Sequence, residues 1–246
     1  FNAYYLLFFG HIKDAFKAEE VKYYFGIILA AVVVISINIA HMCTSVFDAV
    51  TKAAFQVGSI ITTTGFSTTD FDKWPEFSKG ILVLLMFIGA CAGSTGGGIK
   101  VSRIVIAVKT IGKELNGYIH PKSVKKISFE HKPVDHDVIR SINVYFMAYI
   151  AIFVVSMMLI TIENYDFTTS FTAVAATFNN IGPGLSLVGP TCNFGFFNNF
   201  SKYVLMFDML AGRLELFPLL ILFHPSIWKD LFIQADKRVK GIERRN

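Results

Sequence analysis

The chain has 246 residues, a formal net charge of +5, 53% hydrophobic residues and only 17% charged ones. Soluble domains carry about 25% charged residues, so this balance argues for lipid as the main solvent and against a soluble enzyme. Nine basic residues lie between Lys100 and Arg140, both ends included, and none between Arg140 and Lys202; the positive charge therefore reads as loop topology and excludes a nucleic-acid groove, which would interleave basic and aromatic residues.

In chain order, Phe1 opens inside an apolar run, and residues 1–22 read as the end of a preceding helix plus a cytoplasmic linker. A membrane span needs about 20 mostly apolar residues, and spans are predicted at 23–40, 80–92, 142–162 and 203–223. The second is short. It runs into Gly93-Ser-Thr-Gly-Gly-Gly98, and apolar character resumes at 99–111. Freed backbone at membrane depth is tolerated only where it faces protein or water, so this span is predicted to be one discontinuous helix lining a cavity. The basic stretches before the first span, between the second and third, and after the fourth are predicted to be cytoplasmic. Segments 41–79 and 163–201 then fall outside, and both are too apolar for ordinary loops.

Those outer segments look alike. Ser45-Val-Phe-Asp48 fits a capping box, opening a helix to about residue 60 that ends in Thr62-Thr-Thr-Gly65. A second helix, from about 169 to 178, ends in Asn179-Asn-Ile-Gly182. The repeat extends further: Phe77-Ser-Lys79 recurs as Phe200-Ser-Lys202, with Met86 falling on Met209 and Gly89 on Gly212. Each unit reads as span, short helix, Gly-containing turn, span, in the same direction, which makes a parallel repeat. A short helix that stops partway into the membrane points its partial negative charge inward and favours a cation there. The extended residues beyond it can offer carbonyl oxygens in place of an ion's hydration shell. Two ordinary extracellular loops with a Thr-rich turn are the plainer alternative.

Arg213 stands inside the last apolar span, one residue past Gly212, near the depth of the glycine break. An ionisable group in such a place is a functional candidate; the alternative is an ion pair with Asp208 or Glu215. Gly93 to Lys100 lacks the Gly-Lys-Ser/Thr ending of a phosphate loop. Cys43, Cys91, Cys192 and the six histidines show no metal-ligand spacing.

Taken together, Thr62-Thr-Thr-Gly-Phe-Ser-Thr-Thr-Asp70-Phe-Asp-Lys-Trp-Pro75, Gly89-Ala-Cys-Ala-Gly-Ser-Thr-Gly-Gly-Gly-Ile-Lys100 and Asn179-Asn-Ile-Gly-Pro-Gly184 resemble the Trk/Ktr/HKT superfamily of potassium transporters, and its Trk-type membrane subunits most. The resemblance covers nearly the whole chain. It implies an all-α membrane protein: two parallel M1–pore-loop–M2 repeats of a four-repeat, K⁺-channel-like pore, with the third repeat at 23–118, a cytoplasmic loop at 119–138 and the fourth repeat with a basic tail at 139–246. It implies a selectivity filter built from the carbonyls of Thr63, Thr64 and Gly65 and of Asn180, Ile181 and Gly182, with K⁺ as the ion bound and carried. It implies a gate formed by Gly93, Ser94, Thr95, Gly96, Gly97 and Gly98, with Arg213 facing it. The expected activity is potassium uptake, passive or by symport, in the cell (inner) membrane, with no enzymatic activity and no cofactor. Expected partners are a second copy in a homodimer, a cytoplasmic nucleotide-binding regulatory subunit and the lipid bilayer. A Na⁺-permeable or weakly selective transporter and a non-conducting structural subunit are the alternatives. Gly65→Ser and Gly182→Ser would separate them, because a filter turn would lose discrimination and an ordinary loop would not.

Overall fold

A computed structural model describes residues 18–120, 126–130, 132–214, 216–222 and 225. The expected helix end at 1–17, most of the basic tail and Glu215 lie outside these residues.

The chain is mostly helical. Helix α1 (Glu19–Ile39) is a nearly unbroken apolar run, opened by two acids that suit the positive end of the helix dipole. Helix α2 (Val46–Ile61) starts where the capping box was expected: Ser45 Oγ accepts from Asp48 N at 3.1 Å. The reciprocal bond differs in one detail, since the Asp48 carboxylate accepts from the backbone of Thr44 at 3.4 Å, one residue before the cap. Helix α3 (Glu76–Ile88) follows Pro75 and stops at Gly89, which has φ +67°. After the glycine-rich loop, α4 (Val101–Ile119) resumes. The loop at 119–138 is not wholly irregular. It holds a two-stranded antiparallel hairpin, β1 (Ser128–Phe129) with β2 (Lys132–Pro133), so the all-helical expectation fails at this one small element.

The second half repeats the order. Helix α5 (His136–Thr161) is the long apolar span. Helix α6 (Phe167–Phe178) begins two residues earlier than expected because Asp166 is its cap, accepting from Thr169 N at 2.9 Å. Helix α7 (Asn199–Arg213) and α8 (Leu216–Leu222) follow. The sequence suggested one span over 203–223; the chain instead leaves the helix at Leu214, whose N–H still donates to Leu210 O at 3.0 Å. Pro218 explains the break. It has no N–H, and in a continuous helix its ring would press on the carbonyl four residues back, which is Leu214. In the first turn of a new helix neither problem arises.

Among the described residues, two helices are long and apolar enough to cross a membrane, Glu19–Met42 and His136–Thr161. Their outer faces leave Leu29, Ile37, Met147 and Ile150 exposed, an inversion expected where the surrounding medium is lipid or further protein. Inside, α1 packs on α2 and α3, α5 packs on α6 and α7, and α3 against α6 joins the halves. The contact between the halves is aromatic: Phe87 of α3 meets Phe171 of α6 and Tyr149 and Phe153 of α5, with ring centroids 5.4–6.5 Å apart. Helix α6 is buried along nearly its whole length, from Thr169 to Phe178 with Phe171 partly covered, as befits a short helix enclosed by its neighbours.

Candidate functional site

The two short helices end in the same turn. Thr62 N donates to Gly58 O and Asn179 N to Ala175 O, both at 3.2 Å. Thr63 N reaches Ile60 O and Asn180 N reaches Thr177 O, both at 3.0 Å. Thr64 N and Gly65 N share Ser59 O at 2.9 and 3.3 Å, while Ile181 N and Gly182 N share Ala176 O at 2.8 and 3.4 Å. The dihedral angles agree as well: φ is +56° at Thr63 and +55° at Asn180, then +80° at Gly65 and +109° at Gly182. The helix-end carbonyls are thus satisfied by the turn's amides. The turn's own carbonyls are left over: among the described residues, no backbone N–H donates to those of Thr63, Thr64, Gly65, Asn180, Ile181 or Gly182. These six oxygens stand at the negative ends of two helices, that of Ile181 packed against Gly65.

A β-branched residue with positive φ is an outlier, and strained backbone persists only when its surroundings hold it. Thr63 is held by the glycine loop, its Oγ1 accepting from Gly97 N at 3.3 Å. The two turns also touch each other. A Cβ built on Gly65 would stand 1.9 Å from Ile181 O, so only glycine allows this approach. Behind the second turn, Tyr149 Oη donates to Asn179 Oδ1 at 2.7 Å, and Asn180 Nδ2 donates to Met209 O at 3.0 Å. Gly212 lies against this turn, with Phe178 O 1.9 Å from where its Cβ would be.

The glycine loop is an excursion from a helix that closes its own neck. Ile99 N donates to Phe87 O at 3.0 Å, Lys100 N to Ile88 O at 3.1 Å and Val101 N to Ala90 O at 3.2 Å. Carbonyls that the end of α3 would leave bare are taken up by the start of α4, which is how the break is tolerated among apolar helices. The excursion lies against both turns: a Cβ on Gly96 would sit 2.9 Å from Thr63 Oγ1, and one on Gly97 2.1 Å from Asn179 O. Within it, Lys100 Nζ donates to Ser94 O and Ser94 Oγ at 3.1 Å each and also to Gly96 O. Arg213 Nη1 donates to Thr95 O. Arg103 stacks over Tyr145, 4.2 Å from the ring centre. A cavity of about 150 Å³ lies between Ser94, Thr95, Gly96, Lys100, Arg103 and Arg213. Three basic side chains, those of Lys100, Arg103 and Arg213, thus line it.

The structure thus brings the two turns, the loop and Arg213 to one place. It does not pair Arg213 with Asp208. Asp208 is fully buried and accepts from Ser156 Oγ at 2.6 Å, and its other oxygen has no partner among the described residues. Sequence reasoning passed over three participants: Tyr149, Lys100 as an internal ligand of the loop, and Glu20, whose carboxylate accepts from Ala92 N at 2.7 Å. Lys100 was visible only as the residue closing the glycine run, and nothing local marks Tyr149 or Glu20.

The family model described as "TrkH: Cation transport protein" matches residues 21–230. The Trk system potassium uptake protein TrkH of Salmonella typhimurium is 37% identical over 221 residues, covering 89% of this chain and 45% of that protein. Its counterpart from Vibrio parahaemolyticus is 44% identical over 190 residues, covering 77% of the chain and 39% of that protein. Among solved structures, the crystal structure of the potassium transporter TrkH from Vibrio parahaemolyticus superposes with a TM-score of 0.82 at 40% identity, covering 89% of this chain and 47% of that one. The chain spans a little under half the length of these relatives.

Proposed function

Since this chain belongs to the TrkH family of cation transport proteins, we propose that it supplies two of the four pore-lining hairpin units of a membrane protein that takes up potassium. The observation that carries this reading is the shared backbone path of the two turns, which meet at Gly65 and Ile181 with their carbonyls unspent. K⁺ sheds its hydration shell against the carbonyl oxygens of Thr63, Thr64, Gly65, Asn180, Ile181 and Gly182. The negative ends of α2 and α6 lower the cost of holding the dehydrated ion. Below them, residues 93–98 fill the path, and Arg213, held on Thr95 O, sets a positive barrier in it. Opening requires the loop to leave the turns and Arg213 to leave the loop.

The same reading assigns residues 23–118 and 139–246 to the two units and makes residues 119–138 cytoplasmic. It puts the protein in the inner membrane as a multi-pass homodimer under a cytoplasmic nucleotide-binding subunit. Its chemistry is ion transport, not enzymatic turnover.

Potassium and sodium flux through the complete polypeptide in liposomes tests it. Gly65→Ser should reduce K⁺ over Na⁺ discrimination more than Gly182→Ser does. The first Cβ collides with Ile181 O, whereas the second meets nothing within 4 Å and is disfavoured only by φ. Unchanged selectivity in both would reject the filter. Arg213→Ala should raise K⁺ flux, and a lowered or unaltered rate in folded protein would reject the barrier.

A further inference from the structure

At the start of α1, the Glu20 carboxylate joins parts of the chain that are far apart in sequence. Its Oε1 accepts from Ala92 N at 2.7 Å and from Ser102 N at 3.2 Å, across 72 and 82 residues. Ala92 lies within the excursion between α3 and α4, and Ser102 lies in the first turn of α4. One oxygen therefore fixes the loop relative to the helix that resumes after it. The bond to Ala92 is short and charge-assisted. The bond to Ser102 satisfies a first-turn amide with no helical partner, at the helix end that favours negative charge.

The link continues away from the loop. Glu20 N donates to Glu130 Oε1 at 3.0 Å, and Glu130 N donates to Glu19 Oε2 at 3.3 Å. Lys109 Nζ donates to Glu19 Oε1 and, at 2.8 Å, to Ser128 O. Glu130 is a turn residue of the β1–β2 hairpin, with φ +53°. The hairpin, the first turn of α1, the middle of α4 and the glycine loop thus form one hydrogen-bonded chain. Shifting the hairpin would pull on Glu20, and through it on Ala92.

We propose that Glu20 is a positioning residue for the intramembrane loop, holding it closed and tying its place to the cytoplasmic hairpin. This rests on the reading of residues 93–98 as a gate. A gate is a two-state element, so removing a bond made only in the closed state shifts it toward open; a merely structural residue would lower flux when lost.

The test is ⁸⁶Rb⁺ uptake by the complete polypeptide in liposomes, with no regulatory subunit present. Glu20→Ala should raise basal flux about tenfold, the shift expected from losing one hydrogen bond to a charged group. Glu20→Gln, which keeps an acceptor oxygen but not its charge, should bring flux back to within about threefold of wild type. Glu130→Ala should give a smaller rise than Glu20→Ala, and it carries the test if Glu20→Ala does not fold; wild-type flux in Glu130→Ala overturns the tie to the hairpin. Arg213→Ala separates the two readings. If it raises flux while Glu20→Ala does not, the inference fails and the gate stands; if both leave flux flat, the gate reading falls and the inference with it. A Glu20→Gln variant as leaky as Glu20→Ala overturns the acceptor role.

Discussion

The turn after α2 and the turn after α6 differ little in backbone and a great deal in what surrounds them. The first is built from threonines, is partly open at Thr62 and Thr64, and leans on the glycine loop through Thr63. The second is buried at Asn179 and Ile181 and clamped by Tyr149, Met209 and Gly212. The same four amide bonds close both helix ends, so the path of the turn follows from how a helix ends. The side chains decide only what the turn rests against. Both turns meet the glycine loop, but only the second is also fixed to the body of the protein through Tyr149 and Met209.

The sharpest way to break this contrast is at Gly212. In Gly212→Ala the new methyl would meet Phe178 O at 1.9 Å and Asn180 Nδ2 at 2.6 Å, and backbone on one side cannot yield as a flexible side chain would. We expect a loss of about 3 kcal/mol or more, read as a large drop in Tm of the purified protein in detergent; an unchanged Tm would show that the second turn is not clamped. Next comes the pair Tyr149→Phe and Thr62→Val. Tyr149 serves a buried acceptor on Asn179, and losing its hydroxyl should cost about 1–3 kcal/mol. At the matching position of the first turn, Thr62 bonds Gly58 O from an exposed site, and its change to Val should cost less than half as much. Equal losses would erase the distinction between the turns.

Smaller effects sharpen the comparison at the helix starts. Ser45→Ala removes one cap bond and should cost about 1 kcal/mol. Asp166→Ala should cost somewhat more, because Asp166 accepts from both Thr169 N and, at 2.6 Å, Thr169 Oγ1. The reverse order in thermal unfolding would mean that the second helix is held by packing alone. The smallest effect has the opposite sign. Gly58 in α2 has open space where a Cβ would go, and its counterpart in α6 is already Ala175. Gly58→Ala should therefore stabilise by about 0.5–1 kcal/mol, and a fall in Tm would mean that the two helices are not equivalent.

Much of this is legible in the sequence. The apolar runs of α1 and α5, the Ser45 cap, the glycine-ended turns and the broken second span are local signals, each written in a few adjacent residues. The last span ends before its apolar run does, because Pro218 imposes a clash on the carbonyl four residues earlier. The hairpin at Ser128 and Lys132 was missed because two-residue strands have no periodicity to detect.

The sequence alone marks most of the helix starts, the like order of elements in the two halves, and the glycines that take positive φ at positions 65 and 182. These follow from dihedral preferences and from hydrogen bonds between residues three to six apart. Tertiary structure alone decided that Gly65 meets Ile181, that Arg213 binds Thr95 O and not Asp208, and that Glu20 holds Ala92. Those contacts join residues tens to more than a hundred positions apart. No local propensity encodes them, because they come from the way packed helices bring distant backbone amides and carbonyls within hydrogen-bond reach.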